Sequence, residues 1–70
     1  MNKKFLKNIG KNIKFMRKEK NLSQEKLAEK IGVSRNYIGM IERAETNTPV
    51  LTLYKIAKVL NVEPYELLKF

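Results

Sequence analysis

The run from Ser23 to Glu42, SQEKLAEKIGVSRNYIGMIE, constrains the fold more than any other stretch. It sets two short amphipathic helices around one Gly-Val-Ser turn. In the first helix, Leu27, Ala28 and Ile31 fall on one face at helical spacing. Ser23 suits its N-cap, and Gly32 suits the left-handed backbone that ends it. Ser34 suits the N-cap of the second helix, whose Ile38 and Ile41 are again one turn apart. Val33 lies between the two and can plug the angle where they cross. Ala28 matters because helices joined by so short a turn approach closely, and a larger side chain would push them apart.

The flanking sequence continues the helical pattern. A first helix is expected from about residue 3 to residue 20, with Leu6, Ile9, Ile13 and Met16 as its inward stripe. Lys4, Lys7, Lys11, Lys14 and Lys18 lie largely opposite. Asn21 can end this helix, since asparagine tolerates left-handed backbone, and Leu22 enters the core. After Arg43, the run Ala44-Glu45-Thr46-Asn47 reads as a loop. Thr48 as cap and Pro49 at the first position are expected to restart a helix, with Leu53, Ile56, Ala57 and Leu60 buried. Asn61 stops it and Val62 returns to the core. Glu63-Pro64 then opens a last short helix that brings in Leu67 and one of Tyr65 or Leu68. No strand pattern, repeat or linker interrupts the chain. The expectation is an all-α fold, five helices around one core, as a single domain over 1–70.

Composition excludes several chemistries. Seventy residues are near the lower size at which one core suffices without staples. There is no cysteine, hence no disulfide or thiolate metal site, and no histidine, the usual general base and commonest zinc ligand. No glycine-rich phosphate loop and no paired carboxylates in a plausible pocket are present, so neither an enzyme nor a cofactor is expected. The basic N-terminus lacks the apolar run of a signal peptide, and no segment approaches the roughly 18 apolar residues that span a bilayer. A soluble, cytoplasmic protein is the expectation. The net charge is +8, and residues 1–20 hold eight Lys or Arg against one Glu. Such an excess favours polyanionic partners and speeds their capture, although a solvated helix face would look the same.

An angled helix pair with a short turn containing Gly is the helix-turn-helix pattern, here at about residues 23–43, whose second helix enters the DNA major groove. Gln24, Leu27, Ala28, Ile31, Gly32, Val33, Ile38 and Ile41 together make the match specific. The chain resembles the lambda-repressor-like (Cro and phage-repressor, or XRE) helix-turn-helix family. The likeness runs from about Ile9 to Leu68. It includes the approach from Arg17 to Leu22-Ser23-Gln24, the IER of Ile41 to Arg43, and LYKIAKVLNV from Leu53 to Val62. The resemblance implies a compact five-helix DNA-binding domain, usually dimeric, that regulates transcription. Within the family, YIGMIERAE (Tyr37 to Glu45) looks most like the small controller proteins of restriction–modification systems.

With Ile38 and Ile41 facing the core, Asn36, Gly39, Met40 and Arg43 fall on the outward face, with Arg35 on its flank. Arg35 can bond guanine bidentately and Asn36 can do so with adenine, while Met40 can pack on a thymine methyl. Gly39 would let the helix sit close to the groove wall. The alternative is a polar surface helix that touches only water. Tyr37 sits beside the buried stripe, as a half-buried cover whose hydroxyl can still reach a phosphate. The resemblance makes Gln24 a phosphate-gripping position, consistent with the free N–H donors at a helix start. Ser34 shares that geometry. The resemblance also pairs Arg17 with Glu42 across the first and recognition helices, and leaves Arg17 with N–H groups for a phosphate.

Arg43 and the following loop are expected at the DNA backbone, with Asn47 and Thr48 as donors. Two departures stand out. Ala44 occupies a position where the family commonly has Gly, so the helix end must use another conformation or accept strain. The loop from Glu45 to Val50 carries no Lys or Arg.

The leading functional expectation is a sequence-specific, DNA-binding transcriptional regulator acting as a homodimer on a near-palindromic site. It would be a restriction–modification controller or a phage-type repressor. Val50, Leu51, Tyr54 and Tyr65 form the expected interface, unless the monomer core absorbs them. At a promoter such a dimer can block or recruit RNA polymerase, with Glu42 and Glu45 as the acidic patch for recruitment and a structural role as the alternative. A second reading is an antitoxin-like or other protein–protein module on the same fold. Attachment of the basic first helix to a membrane surface ranks last, because its apolar face is needed for the core.

Overall fold

The computed structural model describes residues 2–70. Five helices follow in order: α1 (Lys3–Glu19), α2 (Gln24–Ile31), α3 (Arg35–Glu42), α4 (Val50–Leu60) and α5 (Pro64–Leu67). Their ends have local causes. Asn2, Ser23 and Ser34 are N-caps whose side chains accept from Phe5 N, Lys26 N and Tyr37 N, satisfying N–H groups that a helix start leaves open. Gly32, at φ 77°, closes α2, and Asn61, at φ 59°, closes α4 in the same left-handed form. Asn21 takes that conformation at φ 56°, one residue beyond the end of α1 at Lys20.

One expected start is displaced. Pro49, not Thr48, is the N-cap of α4, and no side chain caps that helix. Proline has no N–H and a fixed φ, and here its extended ψ of 149° keeps it outside the first turn. The first helical residue is therefore Val50.

The core is a cluster of Ile9, Ile13, Leu27, Ala28, Ile31, Ile38, Ile41, Leu53, Ile56, Ala57, Leu60 and Leu67, drawn from all five helices. Met16, Leu22, Val33, Tyr37 and Val62 pack around it half-buried. Leu67 alone carries α5 into the core, while Tyr65 and Leu68 stay exposed. The C-terminus is tied back to α1. Asn12 Nδ2 donates to Leu67 O at 3.0 Å and to Lys69 O at 3.1 Å, and Phe5 meets Phe70 edge to face at 5.4 Å. Among the described residues there is no strand, and no helix is long and apolar enough to cross a membrane.

The approach of α1 to α3 decides how α3 is held. Gly10 is buried in the middle of α1, and a Cβ there would lie 2.6 Å from Glu42 O and 2.8 Å from Ile41 O. Only a residue without a Cβ lets α1 cross the C-terminal end of α3 at this distance.

Candidate nucleic-acid interface

The elements α2 and α3 meet at the Gly32-Val33-Ser34 turn, with Val33 N donating to Ala28 O at 3.0 Å. This turn leaves one face of α3 free. Arg35 and Asn36, in its first turn, are exposed, and Met40 is half-buried one turn on. Asn36 Nδ2 and Met40 Sδ are 3.6 Å apart, so these two side chains lie together on that face. Ser34 is exposed beside its capping bond, Tyr37 is half-buried against the core, and Asn47 is exposed in the loop before α4.

Behind that face is a buried polar junction. Arg17 Nε donates to Glu42 Oε2 at 2.7 Å, its Nη2 to Glu42 Oε1 at 3.1 Å, and its Nη1 to Leu22 O at 2.8 Å. The two side chains are only 8% and 2% exposed, so the pair is nearly dry, where the sequence suggested a flank position. Gln24 joins them, its Nε2 donating to Glu42 Oε1 at 3.0 Å. Glu42 thus accepts from α1 and α2 at once and fixes both to α3. A buried charge is tolerable when its partners are charged and hydrogen-bonded, as here. Gln24 keeps one N–H of its amide for another acceptor, whereas Arg17 has little exposed surface left for a phosphate.

The far end of α3 differs from the expectation for Gly39. By angle it belongs to the outward face, yet it is buried, because Arg43 folds back over it. The three nearest atoms to a Cβ on Gly39 all belong to the Arg43 guanidinium, with Nη1 at 2.8 Å. Arg43 is in turn held by Glu45 through Nε to Oε2 at 3.0 Å and Nη2 to Oε1 at 3.2 Å. This hydrogen-bonded pairing, reinforced by charge, lowers the Glu45 carboxyl and raises Arg43 from their ordinary values, so both are ionised at neutral pH. Ala44 makes the return possible. It adopts φ 60° and accepts the strain, while Ala44 N donates to Ile41 O and Glu45 N to Met40 O at 2.8 Å. Of the two acidic residues beside α3, the Glu42 side chain is buried, while Glu45 is half-exposed and paired with Arg43.

Replacing Gly39 by Ala tests how loosely Arg43 lies there. The clash is with the tip of a flexible, half-exposed side chain, and Ala is the better helix former. G39A is expected to stabilise the fold by roughly 0.5–1 kcal/mol in urea denaturation. A net loss of stability would mean that the guanidinium cannot move aside.

The lysines of α1 lie largely opposite its apolar stripe, as expected, and are exposed. Stepping about 100° per residue, Lys4, Lys7, Lys11, Lys14 and Lys18 centre on the side away from Leu6, Ile9, Ile13 and Met16, while Lys3 falls nearer Gly10 and Arg17. Those two residues touch α3, whereas Asn12 and Phe5, on the other flank, hold the C-terminus. Lys3 is near enough to Glu45 to help lower its carboxyl pKa.

Residues 13–67 match the Helix-turn-helix family. The chain belongs to this family, in its lambda-repressor-like branch. It is 45% identical over 60 residues to the control protein C.SmaI of Serratia marcescens, covering 86% of this chain and 71% of that one. Its fold superposes on the restriction–modification controller protein C.AhdI from Aeromonas hydrophila with a TM-score of 0.85 at 39% identity, covering 89% of this chain and 94% of that one. The structure of SinR in complex with DNA matches with a TM-score of 0.81 at 45% identity, covering 87% and 98%. As a member of this helix-turn-helix family the chain is a DNA-binding transcriptional regulator. Gly10 and Gln24 are the positions whose structural part was missed from sequence. A glycine inside a strong helical pattern, between Ile9 and Ile13, was the available signal for the first.

Proposed function

We propose that this regulator reads a near-palindromic operator as a homodimer, in the manner of a small controller or phage-type repressor, without catalytic activity and in the cytoplasm. The observation that carries the reading is the exposed Arg35–Asn36 pair at the start of α3, backed by the dry Arg17–Glu42–Gln24 junction. A recognition helix must not rock if two side chains are to register with base edges. Arg35 then bonds guanine, Asn36 adenine, and Met40 packs on a thymine methyl. Gln24, Ser34, Tyr37 and Asn47 meet phosphates around them, and the α1 lysines supply long-range attraction.

Dimerisation is proposed through Val50, Leu51, Tyr54 and Tyr65. Val50 is 84% exposed and Leu51 and Tyr65 are each 64% exposed, so the monomer core does not use them. Pairing two copies places the α3 helices in successive major grooves about 34–36 Å apart. The relatives named as control and controller proteins support the narrower reading of a restriction–modification controller. The buried state of Glu42 disfavours direct recruitment of polymerase through that residue.

The test is selection of bound duplexes from a random pool, followed by sequencing. A two-fold symmetric site is expected, and R35A is expected to lose about 1–3 kcal/mol of discrimination at one position of each half-site. Weak binding blind to sequence would turn attention to a protein partner of the same surface, as in an antitoxin-like module.

A further inference from the structure

We infer that Arg43 is a guanine-reading residue and that Glu45 is its positioning residue, which moves Arg43 from the backbone role expected from sequence to the base-reading face. The inference rests on the DNA-reading function proposed above and deepens it. A guanidinium carries five N–H donors in a fixed fork. Glu45 takes the Nε–H and one N–H of Nη2, at 3.0 and 3.2 Å. The opposite edge, Nη1 with the second N–H of Nη2, has no partner among the described residues. That edge is the donor pair which matches O6 and N7 of guanine in the major groove.

Three features of the chain converge on this placement. Gly39 leaves the surface of α3 bare, so the guanidinium lies over the helix one turn N-terminal to its own Cα. There it joins the row of residues spaced by four that begins at Arg35. Ala44, in left-handed backbone, turns the chain so that Glu45 returns beside Arg43. The carboxylate also neutralises the arginine, which suits a base contact better than a phosphate contact. A phosphate-binding arginine gains from its full charge, and the pair offers almost none.

The experiment compares wild type, E45Q, R43A and G39A by the same random-duplex selection, and by titration of the selected site and a shuffled duplex across a salt series. All three variants are expected to lose preference for guanine at one and the same position of the half-site, by roughly ten- to a hundred-fold. E45Q removes a negative charge, so its affinity for shuffled DNA rises and its salt dependence steepens. R43A moves both in the other direction. G39A displaces Arg43 without changing charge, and so loses the preference while leaving affinity for shuffled DNA within about two-fold, the scale expected when no phosphate contact changes. Variants that keep every base preference of the wild type while binding all sequences uniformly tighter or weaker would overturn the inference and return Arg43 to the backbone. No enriched site for the wild type would overturn the DNA-reading function and this inference with it.

Discussion

Glu42→Ala is expected to leave most of the protein unfolded at room temperature. The substitution strands the Arg17 guanidinium, whose side chain is 8% exposed, and removes the acceptor of Gln24 as well. Breaking a buried pair by removing one partner costs about 3–5 kcal/mol, because the remaining charge is uncompensated. A core of this size rarely supplies more than about 3–5 kcal/mol in total, so the loss is comparable to the whole stability. Urea denaturation followed by circular dichroism reads the effect directly. The double variant R17M/E42L should regain most of the stability, since apolar residues of similar volume often replace a buried pair at little cost. A loss below about 1 kcal/mol in E42A, the range of a solvent-exposed pair, would show that the junction is wet.

Gly10→Ala is the second large effect, and its sign is the informative part. In an exposed helix interior this exchange stabilises by roughly 0.5–1 kcal/mol. At Gly10 the new methyl would stand 2.6 Å from Glu42 O and 2.8 Å from Ile41 O, both backbone atoms at the end of α3. Backbone cannot rotate away as a side-chain tip can, so α1 and α3 must separate. Overpacking of this kind costs about 1–3 kcal/mol, which exceeds the gain in helix propensity. Destabilisation is therefore expected in G10A and stabilisation in G39A, from the same chemical change. Because α3 is the proposed reading helix, G10A should also weaken specific DNA binding at temperatures where it remains folded. Equal, positive shifts for both variants in thermal melts would contradict the close α1–α3 crossing.

The contrast between these glycines shows what was legible in the chain. Element identities and ends were readable because their causes are local. Ser23 and Ser34 cap helices through their own side chains, Gly32 and Asn61 end them through left-handed backbone, and the three-to-four spacing of Leu27, Ala28 and Ile31 picks the buried face. Long-range contacts were not readable in this way. Gln24 was expected only as a phosphate-gripping helix-start residue, and its bond to Glu42 at 3.0 Å appears once α3 is packed beside it. Gly39 looked like bare outward surface until Arg43 covered it. Thr48 was expected as the cap with Pro49 at the first helical position, but the cap preference of threonine says nothing about the extended backbone that Pro49 takes. Family likeness supplied the Arg17–Glu42 pairing, which periodicity alone does not contain.

The central claim is that the exposed face of α3 reads base sequence. Its most direct test is a pair of equilibrium titrations in one buffer at physiological salt, with the selected duplex and a shuffled duplex of identical length and composition. A dissociation constant near 10⁻⁸ M or tighter for the first, against roughly 10⁻⁴ to 10⁻⁶ M for the second, is the predicted result. Equal constants for the two duplexes, both weakening steeply with salt, would mean that the lysines of α1 attract DNA while α3 reads nothing.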